Sequence, residues 1–242
     1  MSEARPAFYA LAPGGWRDYV TLLHPPYTLW HLSYVAIGAS LAPQVHEDRL
    51  LWALGAFALA LGIGAHALDE LNGRPLRTRI ASTTLVALAV VSIGGAVAIG
   101  IGAAIAWGFW LLVFVAAGGF LVCAYNLELF SGRFHSDLWF ALAWGAFPVL
   151  TGYFVEAQRL TLEAVLAALF AAALSSAQRT LSTQVRWVRR SVLAVTGEVE
   201  LAGGARDPLT EETLMRTPEL ALRSLTVAVS TLAAALLVLR LT

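Results

Sequence analysis

Seven apolar runs, at roughly 27–43, 50–68, 82–103, 106–126, 137–155, 161–180 and 219–240, divide this chain of 242 residues. A run of about 20 apolar residues, wound as a helix, spans the hydrocarbon core of a bilayer. The chain is 58% hydrophobic and only 13% charged, about half the charged share of an ordinary soluble domain. The pattern predicts an all-α fold: a polytopic transmembrane helix bundle of about seven spans. The whole chain, 1–242, reads as a single membrane-embedded domain. Within it, residues 1–26 form an N-terminal segment, 27–195 a helical core, 196–218 a polar loop and 219–240 a last transmembrane helix. The sixth run continues as an amphipathic helix through about residue 195. Paired glycines at 94–95 and 118–119 suggest close helix packing.

Charge orients the bundle. All 16 basic residues are arginine, and only Arg49, Arg159 and Arg240 fall on the side opposite the N-terminus. Arginine-rich loops stay cytoplasmic, which places the N-terminus inside, the C-terminus outside and the chain in the cytoplasmic (inner) membrane. The first twenty residues lack the basic start and apolar core of a cleavable signal, so insertion is expected to use the first helix. The lone Cys123 excludes an intramolecular disulfide. No nucleic-acid partner is expected. A transporter fits less well, because the unusual polar residues gather at one membrane face rather than at the midplane.

Three polar clusters lie on that face. In the first, GIGAHALDELNGRPLRTRI, His66 stands three residues before Asp69 and four before Glu70, spacings that share a helix face. Ionisable groups at such depth are costly and usually functional. Asn72 and Arg74 follow as substrate- or phosphate-binding candidates, and Gly73 fits a helix C-terminus. The second cluster, CAYNLELFSGRFHSDLW, supplies Tyr125, Asn126, Glu128, Arg133, His135 and Asp137, with Ser136 or Asp137 also suited to capping the next helix. The third, SSAQRTLSTQVRWVRR, places Arg179, Arg186 and Arg190 near one stripe with Ser182. Guanidinium forks suit phosphate oxygens, although arginines here also anchor topology. His66, Asp69, Tyr125 and Glu128 are the catalytic candidates. His66, Asp69, Glu70, Glu128, His135 and Asp137 are the candidate metal ligands. Asn72, Arg74, Asn126, Arg133, Arg179, Arg186 and Arg190 are the substrate-binding candidates.

Over roughly residues 20–190 the chain resembles the UbiA superfamily of intramembrane prenyltransferases. HPPYTLWHL (24–32) is similar to the family's Arg/His-Pro start of helix 1, and Tyr125 to the tyrosine closing its helix 4. GAFPVLTGY, with Gly145, Pro148 and Gly152, is similar to its Gly-x-x-Pro-x-x-x-Gly element. AHALDELNGRPL occupies the place of the first acidic motif, with Ala65 for its asparagine, His66 and Asp69 for its first two aspartates and Gly73 for its third. The second acidic motif is missing: from Ala164 to Gly197 there is no acid, and arginines stand there instead.

The resemblance implies a membrane enzyme acting on an isoprenoid or lipid, with prenyl transfer from a prenyl diphosphate as its reaction. Asp69 with Glu70 would hold a divalent metal such as Mg²⁺, and the arginines would neutralise the diphosphate. Histidines among the ligands also suit Fe or Zn, which would make the protein a metal-dependent lipid or isoprenoid hydrolase or oxidase. A third alternative is a non-catalytic lipid- or quinone-binding subunit with helix partners in the membrane.

Overall fold

A computed structural model of the protein describes residues 5–242. Eight helices account for most of them: α1 (Trp16–Leu22), α2 (Pro25–Leu41), α3 (Glu47–Leu71), α4 (Ser82–Trp107), α5 (Leu111–Asn126), α6 (Asp137–Ala157), α7 (Leu162–Ser191) and α8 (Glu211–Leu241). By length and composition five of them, α3, α4, α6, α7 and α8, can each cross a membrane. The chain is thus a mostly helical, multi-pass membrane bundle. The 17-residue α2 and 16-residue α5 are shorter.

Local chemistry sets the boundaries. Pro25 and Pro26 occupy the first turn of α2, where a missing N–H costs nothing. Gly73, at φ +85°, follows the end of α3 in the left-handed region. Ser136 caps α6 by accepting the Trp139 N–H at 3.3 Å, as its position before an apolar run leads one to expect. Thr210 and Thr213 form a reciprocal cap on α8. That cap starts α8 at Glu211, eight residues before the apolar run, and Pro218 is carried inside its first turns. The loop before it holds a small exposed hairpin, β1 (Glu198–Glu200) paired antiparallel with β2 (Arg206–Pro208).

The bundle is built around α6, the most buried of the long helices. Its glycines explain why. A Cβ on Gly152 would stand 2.2 Å from the Val35 carbonyl oxygen of α2, and one on Gly145 would stand 2.6 Å from the Ala171 carbonyl oxygen of α7. Facing them, a Cβ on Gly38 of α2 would meet the Val149 carbonyl oxygen at 2.1 Å. Backbone thus lies on backbone along both seams. Close packing at 94–95 and 118–119 is found at one glycine of each pair: a Cβ on Gly95 would stand 3.3 Å from Leu59 Cδ1 of α3 and one on Gly118 3.2 Å from the Phe147 ring of α6, whereas a Cβ on Gly94 would meet nothing within 4 Å and Gly119 borders an apolar cavity. Outward faces of α4, α7 and α8 are apolar and exposed, as at Val91, Leu169 and Val238, which suits lipid contact.

Two long helices carry π-helical segments: Ala58–Ala65 in α3 and Leu142–Ala146 in α6. Such widened turns are frequent at functional sites. Both border the same cavity.

Candidate functional site

At the arginine-rich end of the bundle, α2, α3, α5, α6 and α7 surround a polar cavity of about 270 Å³. The π segment of α3 ends at Ala65, and His66 and Asp69 follow it into the cavity wall. The Nδ1–H of His66 donates to the Gly62 carbonyl at 3.1 Å, which leaves Nε2 as an acceptor. From α5 come Tyr125 and Asn126, and from the loop beyond it His135, whose Nδ1–H donates to the Tyr125 carbonyl at 3.1 Å. Its ring stacks on that of Tyr125 at 4.4 Å.

The arginines of α7 form the opposite wall. Arg179 donates through Nη1 to the Tyr125 hydroxyl at 2.7 Å and through Nε to Asp137 at 2.9 Å. Among the described residues Arg186 is tied only to the Ser182 and Thr183 hydroxyls of its own helix. Arg190 has a buried Nε without a hydrogen-bond partner among the described residues. Among the described residues Asp69 is the only carboxylate lining the cavity, against three guanidinium groups. Its electrostatics therefore favour an anion.

Several expected site residues lie elsewhere. Glu70 is fully buried, but its carboxylate accepts hydrogen bonds from the Leu76 N–H, the Thr78 N–H and the Thr78 hydroxyl. It holds the α3–α4 loop and does not join His66 and Asp69. The reason is helical: consecutive residues stand about 100° apart, so Asp69 and Glu70 diverge and the loop amides claim the second. Glu128 is exposed in a left-handed turn, where it accepts from Asn72 Nδ2 at 3.2 Å. That contact accounts for both residues outside the cavity. Arg74 closes its own loop on the Ile80 carbonyl and the Ser82 hydroxyl, and Arg133 is exposed. Asp137 is exposed over most of its surface and serves as the counter-ion of Arg179.

The six proposed metal ligands are therefore not gathered. Among the described residues no three His, Cys, Asp or Glu side chains are placed to hold a metal ion. His66 stacks face to face on His24, with ring centroids 3.9 Å apart. The donor set fits neither a magnesium pair nor an iron or zinc centre.

The structure adds residues that are not among the site candidates above. His24, Tyr27 and His31 enter the cavity from α2 and its N-cap, and Gln178 enters from α7. Their spacing of three, four and seven residues along one helix face was readable, as was the oddity of a histidine in an apolar run. The N-terminal segment also contributes. Phe8 and Tyr9 line the cavity, Tyr9 packing edge-on against Tyr27 at 5.6 Å. Burial raises the Tyr9 hydroxyl well above its ordinary pKa, with Tyr27 adding to the shift. Burial likewise holds His24 well below the ordinary imidazole value, helped by the neighbouring His66. Asp18 anchors the segment, accepting the Gly14 N–H and the Arg79 N–H at 2.9 Å each.

Deeper in the bundle lies a second cavity of about 110 Å³, apolar and lined by α3, α4, α5 and α6. Leu61 and Trp144 border both cavities. Polar end and apolar extension thus adjoin across two side chains. Comparison of the chain with models of known families, with curated proteins and with solved structures finds no match.

Proposed function

We propose that the protein is a divergent UbiA-like intramembrane enzyme of seven spans, N-terminus cytoplasmic, that binds an isoprenoid diphosphate and transfers its prenyl group. One observation carries this reading: a cavity with three arginines and a single carboxylate adjoins an apolar cavity reaching into the bundle. A ligand with an anionic head and a hydrocarbon tail matches both parts. In such a transfer the allylic C1–O bond breaks, its electron pair leaves with the diphosphate, and C1 bonds to an acceptor, whose displaced proton passes to the released diphosphate. Arg186 and Arg190 would take up the charge developing on the departing oxygens. Arg179, held by Tyr125 and Asp137, would present its remaining N–H groups to the same anion. Asp69 is the one carboxylate among the described lining residues left to orient the head or the acceptor.

The test is binding of farnesyl diphosphate to the purified protein in lipid nanodiscs, by calorimetry, for wild type and Arg186→Ala. Loss of a charge-assisted contact is expected to weaken binding about 10- to 100-fold. Unchanged affinity in the variant, or no binding by wild type, would sink the proposal.

A further inference from the structure

The mouth of the polar cavity is crossed by a piece of chain that belongs to no helix. Pro6, Ala7, Phe8 and Tyr9 line the cavity there, each of them half-buried. The chain behind them is firmly rooted. The Leu11 N–H donates to the Thr21 hydroxyl at 3.0 Å and the Gly14 N–H to Asp18 at 2.9 Å, while the other oxygen of Asp18 accepts the Arg79 N–H. The leading end reaches across to α7 and α8. Arg189 of α7, paired through Nε with Glu219 of α8 at 2.8 Å, donates through Nη1 to the Arg5 carbonyl at 3.1 Å. Arg223 of α8 sets its guanidinium carbon 4.9 Å from the centre of the Phe8 ring.

We propose that residues 5–10 form a lid that lifts off the cavity mouth by pivoting at Leu11, with Arg189 and Arg223 as its catch. The lid governs entry to the cavity whichever ligand the cavity takes.

The contrast between root and tip sets where the chain opens. Among the described residues the Arg189 contact is the one hydrogen bond from residues 5–10 to the rest of the protein. Their other hydrogen bond, from the Ala10 N–H to the Ala7 carbonyl, closes a turn within the lid and travels with it. The remaining hold is aromatic: Phe8 and Tyr9 meet Tyr27 edge-on, with centroids 6.4 and 5.6 Å away. Segments with so few hydrogen bonds to the body of a protein open locally while the fold stays intact. Arg189 and Arg223 stand outside the cavity lining, so both act on the lid without touching a ligand. Ser182, a lining residue of α7, is buried beneath the cover.

The test reads access to a thiol beneath the lid. In a Cys123→Ala background, Ser182→Cys is treated with N-ethylmaleimide in nanodiscs and its labelling followed by mass spectrometry. It is expected to react far more slowly than Gly203→Cys in the exposed hairpin. Where opening is fast relative to labelling, the rate follows the population of the open form. Loss of a cation–π contact raises that population about 3- to 30-fold, so Phe8→Ala and Arg223→Ala are each expected to speed labelling of Ser182→Cys by such a factor. Once Phe8 is alanine, Arg223→Ala should add little, because the contact is already gone. Arg240→Ala, which frees the Ala42 and Pro43 carbonyls at the opposite end of the bundle, should leave the rate unchanged. If one lid variant does not fold, the other decides. Labelling of Ser182→Cys as fast as that of Gly203→Cys, an unchanged rate in the folded lid variants, or equal acceleration by Arg240→Ala overturns the proposal. No diphosphate is added, so failure of the diphosphate reading leaves this result untouched.

Discussion

His24 concentrates much of what is unusual at the residue scale. It precedes Pro25 in a left-handed conformation, φ 46°, and its ring is stacked on His66 and covered by Tyr9. Burial makes the imidazolium costly there, so the folded protein resists protonating His24 while the unfolded chain accepts a proton near 6.5. Between those two values the unfolded state binds more protons, so stability falls as pH drops below about 6.5. We expect the thermal midpoint in detergent to decline from pH 7.5 to 5.5, and to decline less in His24→Asn. Asparagine is chosen because it tolerates the left-handed backbone. Equal slopes would mean that His24 takes up its proton alike in the folded and the unfolded protein. His24 was visible in HPPYTLWHL only as part of a motif, because the sequence gives no sign that a second imidazole, 42 positions on, lies flat against it. Glu70 shows the opposite difficulty. Spacing alone puts it beside His66, and only the competing amides of Leu76 and Thr78 remove it.

The informative units among the elements are the seams of α6. Glycine there is required by contact rather than by turn geometry: Gly38 and Gly152 each press on a carbonyl of the other helix. Adding a methyl group forces the backbones apart, at about 2–3 kcal/mol for overpacking. Gly152→Ala should lower the thermal midpoint clearly, whereas Gly94→Ala, with open space around it, should match or slightly exceed wild type. Equal behaviour of the two would contradict the packing described for α2 and α6. Apolar run length sufficed to locate the helices, since hydrocarbon thickness acts on each run separately. Which glycines lie in seams was not legible, because a small residue facing a cavity and one facing a helix look alike in one dimension. The start of α8 escaped for a related reason: the Thr210 cap extends the helix through polar residues that hydropathy assigns to a loop.

For the molecule as a whole, the distribution of arginine is the clearest link from sequence to architecture. The cavity opens at the end of the bundle where α7 carries Arg179, Arg186, Arg189 and Arg190. The same residues are expected to fix orientation and to bind a ligand, so topology can be measured without reference to function. In a Cys123→Ala background, Gly203→Cys in the hairpin should react with an impermeant maleimide only after the inner face is exposed. Thr242→Cys should react in intact cells. The reverse pattern would place the cavity on the outer face and remove the cytoplasmic reading. Here the sequence was most legible in the sign of the charge and least in its partners. The N-terminal segment, taken as a simple leading stretch, covers the cavity with Phe8 and Tyr9.

The π-helical segment of α3 has a genetic consequence. A widened turn is what one extra codon leaves in a helix whose two ends are already fixed. Removing a codon between Ala58 and Ala65 would preserve the apolar character of the span. It would also let the widened turn close to an ordinary one with the helix on either side still in register, so that His66 and Asp69 keep their place on the cavity wall. The same deletion in a regular turn of α3 would swing everything after it by about 100°, so this segment is where the helix tolerates losing a codon.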